Sequence, residues 1–134
     1  MLEVIDKGSV TESHPVPLLF VHGTWHAAWC WDEHFLDHFA DRGFRALALS
    51  LRGHGCSKTD KNLRACGLTD YIADVESVVI SLPAPPVMIG HSVGGFIVQS
   101  IWSRTMLLPG YYLPPRLLVV GVRGRCGHSS VTHG

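Results

Sequence analysis

The chain has 134 residues, 46% of them hydrophobic, and no net charge, which is enough for one globular domain with a real core and too little to suggest two. All eleven acids lie in residues 1–76 beside seven Lys and Arg, whereas residues 77–134 carry four Arg and no acid. Four scattered arginines make no dense basic stripe, so the composition argues against nucleic acid as a partner.

Taken in chain order, Leu2 to Val10 reads as an outer strand of mixed polarity, and Pro15 and Pro17 then punctuate the chain. "LLFV" (Leu18 to Val21) is a continuous apolar run of the kind a strand buried on both faces shows, although periodicity alone does not exclude a helix there. It leads into "HGTWHAAWCW", rich in aromatic residues and histidines. From Trp31 the spacing Trp31, Phe35, Phe39, with Leu36 and Ala40 beside them, predicts a helix with acids Asp32 and Glu33 in its first turn and Gly43 past its end.

"FRALALSL" (Phe44 to Leu51) predicts a second strand, broken by the glycines of "RGHGCS". Thr69 is a plausible N-cap for a helix with Asp70 in its first turn and Ile72, Val75, Val79 and Leu82 on one face. Pro83, Pro85 and Pro86 end it, "VMI" restarts a strand, and Val93, Ile97 and Ile101 mark a further helix. Alternating strands and helices predict an α/β protein with a mostly parallel sheet, since parallel neighbours need crossover connections and helices must cover both faces.

Gly90-His91-Ser92-Val93-Gly94 fits G-x-S-x-G, and it falls between a predicted strand and a predicted helix. A strand that turns abruptly into a helix strains the serine and leaves no room for side chains two residues before or after it. The helix start directs free N–H groups at the same point. The Val93 N–H is thus one candidate oxyanion donor, and the loop after "LLFV", beginning His22-Gly23, is where a second is expected.

Three segments, "LLFVHGTWHAAWCW", "ALSLRGHGCS" and "VMIGHSVGGFIVQ", together resemble the α/β-hydrolase family in order and spacing, over roughly residues 15–100. The resemblance implies a partial doubly wound, mostly parallel sheet, truncated after the helix that follows Ser92. The loops look most like those of small-molecule esterases or lysophospholipase-like members. By position, Ser92 is implied as nucleophile and the backbone N–H groups of Thr24 and Val93 as the oxyanion hole, with His22, Gly23, Gly90, His91 and Gly94 shaping the two loops. His22, His54 and His91 are expected to be structural, and Trp25, Trp29 and Trp31 to be core or pocket wall.

In this family the triad acid and histidine follow the serine, but no Asp or Glu stands after Ser92. His128 and His133 are available as bases by order alone. The upstream acids Asp74 and Glu76 lie on the preceding helix and would need an unusual route to the serine. From about Ser103 the sequence also changes character, with four arginines, no lysine and three of the eight prolines.

Two readings of residues 103–134 stay open. Either "LLVVGV" is a further strand of a minimal domain, or the family-like frame ends within 1–102 and the tail is frameshifted or irregular. The functional expectation is a serine hydrolase of ester or related acyl substrates, truncated and weakly active or inactive. The alternatives are a non-catalytic binding module, with self-association through an open sheet edge, or a fragment that does not fold alone.

No cofactor or metal is expected, since Cys30, Cys56, Cys66 and Cys126 lack zinc-site spacing. "MIGHSVGGFIVQSIW" falls short of the roughly 18 to 20 apolar residues that span a bilayer, so no membrane span is expected. The opening residues lack a signal-peptide core, and a reduced, cytoplasmic setting fits best.

Overall fold

A computed structural model of the chain describes residues 1–107 and the backbone of residues 116–119. Its strands are β1 (Val4–Lys7), β2 (Leu18–Val21), β3 (Ala46–Leu49), β4 (Val87–Gly90) and β5 (Arg116–Val119). They form one sheet in the order β1-β3-β2-β4-β5. β3, β2, β4 and β5 run parallel, while β1 lies antiparallel on the outer side of β3. The partial, mostly parallel sheet expected from the sequence is present, and it carries one strand beyond the helix that follows Ser92.

The central strands are short and apolar because both of their faces are covered. On one face Leu19, Val21, Leu47, Leu49 and Met88 pack against α3 (Leu68–Ser81) and α4 (Val93–Leu107), through Ile72, Val75, Val78, Ile97 and Ile101. On the other, Leu18, Phe20, Ala46, Ala48 and Ile89 pack against α1 (Trp29–Asp32) and α2 (Leu36–Ala40). Phe20 anchors this second layer, its ring centroid 5.0 Å from that of Trp31 and 5.7 Å from that of Phe39. Two-residue alternation along each strand therefore sorts one apolar run into two cores.

Two helix expectations need correction. The helix predicted to start at Trp31 and end before Gly43 is two short helices starting at Trp29 and separated by a turn at residues 33–35. Leu36 is fully buried while Phe35 is 45% exposed, so the face that packs shifts between the two pieces. α3 begins at Leu68 with Gly67, not Thr69, as its N-cap. Asp70 decides this, because its carboxylate accepts the Gly67 N–H at 2.9 Å, closing the first turn two residues earlier.

Polar anchors tie the strand ends together. Asp74 is buried among the apolar residues of α3 and accepts from the Arg52 backbone N–H at 2.9 Å and from its guanidinium at 2.6 Å. Arg52 also reaches Asp70 at 3.1 Å, and Asp70 accepts from Lys61 at 2.8 Å. On the far side, Glu3 accepts from the Ser50 hydroxyl at 2.5 Å and the Cys56 N–H at 3.0 Å. These two donors hold its carboxyl below the usual carboxylate range.

The two-core packing makes a contrast that chemical denaturation measures. Leu19→Ala, at a position with no exposed surface, is expected to cost about 3 kcal/mol. Ile80→Ala, 76% exposed on the outer side of α3, is expected to change stability by less than about 0.5 kcal/mol.

Candidate active site

The site follows from one register. Val21 of β2 pairs with Gly90 of β4, so both parallel strands end at the same level. The residues that leave them, 22–24 and 91–93, are therefore neighbours at the carboxyl edge of the sheet, where open α/β folds gather their ligands.

Ser92 occupies this edge with φ +54°, a left-handed conformation that a non-glycine residue rarely adopts. The turn is held by donation from the His91 N–H to the Val21 carbonyl at 3.2 Å and from the Gly94 N–H to the His91 carbonyl at 2.9 Å. α4 starts at once, with the Gly95 and Phe96 N–H groups donating to the Ser92 carbonyl at 2.9 and 3.3 Å. The helix thus begins directly beneath the serine, whose side is exposed.

The flanking glycines are there because backbones touch. A Cβ at Gly94 would run into the Val21 carbonyl oxygen and come within 2.6 Å of the His22 oxygen, while one at Gly90 would run into the Gly94 carbonyl. Across the loop, a Cβ at Gly23 would lie 3.1 Å from the Ser92 Cβ and 3.2 Å from His91 Nδ1. The structure therefore brings together His22, Gly23, Thr24, Gly90, His91, Ser92, Val93 and Gly94. Among the described residues, neither the Thr24 nor the Val93 N–H has a hydrogen-bond acceptor.

His22 is fully buried and uses both ring nitrogens: Nδ1–H donates to the Gly23 carbonyl at 2.7 Å, and Nε2 accepts the Leu51 N–H at 3.0 Å. Since Nε2 must accept, the proton sits on Nδ1. The ring clamps the loop after β2 to the end of β3 and has no lone pair left for proton transfer. Burial holds it below the ordinary histidine value of 6.5. The ring of His54 lies 5.1 Å from it, tilted by 49°, and points its Nδ1 at the Arg52 carbonyl, 3.0 Å away.

The upstream acids are committed elsewhere. Asp74 is taken by Arg52, and Glu76 lies 3.6 Å from Arg104. His128 and His133 lie outside the described residues. No group of three or more His, Cys, Asp or Glu residues suited to a metal ion occurs among the described residues, and no helix there is long and apolar enough to cross a membrane.

Beside the serine loop opens a cleft of about 670 Å³ walled by Trp25, Trp29, His54 and Tyr71 among others. Trp25, at φ +66°, was legible as a wall residue but not as a strained one. The pairing of Arg52 with Asp74, which holds the Gly53–Gly55 side of the cleft, was not legible, Asp74 reading only as an acid remote from the serine. Its signal was an acid inside the apolar stripe of α3.

Two substitutions test this construction. His22→Ala leaves the Leu51 N–H without a partner and is expected to cost about 1–3 kcal/mol. A ring held below 6.5 contributes fully above that pH, and its contribution is lost as pH falls towards the lower folded value. The melting temperature of the natural chain should therefore drop between pH 7 and 5 more steeply than that of His22→Ala. Gly94→Ala, which must push β2 and α4 apart, is expected to lower stability by about 3 kcal/mol or more.

Comparison with known proteins agrees with this geometry. Methylesterase 18 from Arabidopsis thaliana is 29% identical over 114 residues, covering 74% of this chain and 43% of the relative. Pheophorbidase from Raphanus sativus is 35% identical over 82 residues, covering 60% of this chain and 30% of the relative. Protein phosphatase methylesterase 1 from Mus musculus is 38% identical over 84 residues, covering 60% and 22% respectively. The chain thus spans less than half the length of these relatives.

Among solved structures, a thioesterase domain from the curacin biosynthetic pathway superposes with a TM-score of 0.66 at 30% identity, over 77% of this chain and 35% of that one. The epoxide hydrolase VrEH1 from Vigna radiata, at 21% identity and a TM-score of 0.67 over 90% of this chain and 35% of its own, shares the fold. The sequence matches the alpha/beta hydrolase family over residues 18–129, a span that takes in both loops, the serine turn and β5. With the strand order, the strained serine and this match in agreement, the chain belongs to the alpha/beta hydrolase family.

Proposed function

We propose that Ser92 is the nucleophile of an acyl hydrolase that acts on a small-molecule ester. The observation that carries this reading is the positive φ of Ser92 at a strand-to-helix turn, with two acceptor-free N–H groups, of Thr24 and Val93, on the loops beside it. Strain of this kind costs of order 1–3 kcal/mol and persists where function requires it. The ester-cleaving names of the relatives support the same class of substrate.

In this mechanism Ser92 Oγ attacks the carbonyl carbon as its proton passes to a base. The carbonyl oxygen becomes an oxyanion held by the Thr24 and Val93 N–H groups. The C–O bond to the alcohol then breaks, the alcohol leaves with a proton, and water hydrolyses the acyl-serine. His22 is excluded as the base because both its nitrogens are engaged. His128 and His133 are the candidates in sequence order, with no carboxylate after Ser92 to orient either. An acid that orients the base is worth about 10⁴ in turnover.

One second reading is a binding module that keeps the cleft without turnover, favoured by the exposed Trp25 and Trp29 in its wall. Among the described strands β1 and β5 are outermost, and pairing of copies along one of them belongs to that reading. Cys30, Cys56 and Cys66 are free thiols, which suits a reducing, cytoplasmic setting.

A fluorophosphonate probe separates the two. Stoichiometric labelling of the folded chain, abolished in Ser92→Ala, is the expected result, together with an initial release of about one nitrophenolate per chain from p-nitrophenyl acetate. Labelling that survives Ser92→Ala, or its absence from protein that unfolds cooperatively, would overturn the nucleophile and leave the binding module.

A further inference from the structure

We infer that the cleft beside Ser92 takes a ligand with an aromatic or apolar body and an anionic group, and that Arg64 pairs with that group. Its assignment as a substrate rests on the nucleophile reading above; its binding does not.

The cleft adjoins the serine through two contacts. Gly23, one residue before the wall residue Thr24, packs on the Ser92 Cβ, and the ring of His26 meets that of His91 edge-on at 6.3 Å. The apolar part of its lining is unusually exposed. Trp25 is 89% and Trp29 54% solvent-accessible. An indole left in water forgoes about 2 kcal/mol or more of burial, and Trp25 is moreover held in a strained backbone conformation. Two exposed indoles with Tyr71 opposite form a surface that stacks on planar or apolar groups.

The charge of the lining is one-sided. Arg64 supplies it, beside the polar rings of His26 and His54, and no carboxylate lines the cleft. His26 and His54 each direct Nδ1 to a backbone carbonyl, of Thr24 at 2.9 Å and of Arg52 at 3.0 Å, so each keeps Nε2 for the cleft or for solvent. Asp70, beside Tyr71 in sequence, is matched by Lys61 and Arg52. Arg64 has no ion-pair partner among the described residues. Its backbone is fixed by the Asn62 side chain, which accepts the Arg64 N–H at 3.1 Å. A guanidinium on a fixed turn, at the rim of an aromatic cleft without acids, fits a carboxylate or similar anion by charge and by forked geometry.

Trp25 and Trp29 report occupancy directly, so the test is a titration of tryptophan fluorescence with 4-phenylbutyrate and its neutral amide, 4-phenylbutyramide. The acid is expected to bind about tenfold more tightly than the amide, as one charge-assisted pair warrants. Arg64→Gln, on an exposed turn, should erase that preference while leaving the melting temperature unchanged. Equal binding of acid and amide, absence of quenching by either, or a preference that survives Arg64→Gln overturns the inference.

Fluorophosphonate labelling is read separately on the same protein. A labelled chain indifferent to the carboxylate sinks the anion site and keeps the nucleophile. An unlabelled chain that prefers the acid does the reverse.

Discussion

The pairing of Val21 with Gly90 is the constraint on which the rest depends. It brings two parallel strands to an end at one level, and the chain leaving each must turn in the same small volume. Only a residue without Cβ fits where Gly94 meets the Val21 and His22 carbonyls, and only a left-handed residue connects β4 to a helix starting three residues later. The serine geometry is thus a consequence of sheet register and backbone contact.

Around that edge, each loop is tethered by a buried polar group rather than by apolar packing. His22 joins the loop after β2 to Leu51, Asp74 fixes Arg52 on the next turn, and Ser50 holds the Ala28 N–H at 2.9 Å while donating to Glu3. Loops at a sheet edge cannot bury enough hydrocarbon to be rigid, so satisfied polar bonds in a shielded setting supply the order. Catalytic geometry depends on such order because small displacements of a nucleophile or an N–H donor cost large factors in rate.

Much of this was legible in the sequence where burial dominates. Leu18–Val21 reads as a doubly buried strand from its continuous apolar run, a pattern that periodicity alone does not separate from a helix, and the structure places the strand at those residues. The G-x-S-x-G turn was legible because its glycines answer a steric demand. What escaped was set by long-range partners. Gly67 caps α3 because Asp70 reaches back to it, although Thr69 has the better intrinsic preference. Asp74 sits in an apolar stripe because Arg52, 22 residues away, makes its burial tolerable. The break between α1 and α2 comes from Leu36 claiming the core in place of Phe35. Residues 103–134 gave conflicting signals, and there the backbone of β5 extends the sheet beside β4.

The Glu3 anchor has a consequence for the order in which the molecule assembles. Its partners Ser50, Cys56 and Ser57 lie 47, 53 and 54 residues further along the chain. β1 has no neighbour to pair with until β3 has been made, and its carboxylate none until the following turn has closed. Closing so long a loop is paid for in chain entropy before any bond forms. During synthesis β1 therefore waits, and one wall of the cleft is fastened late by residues made some fifty positions earlier.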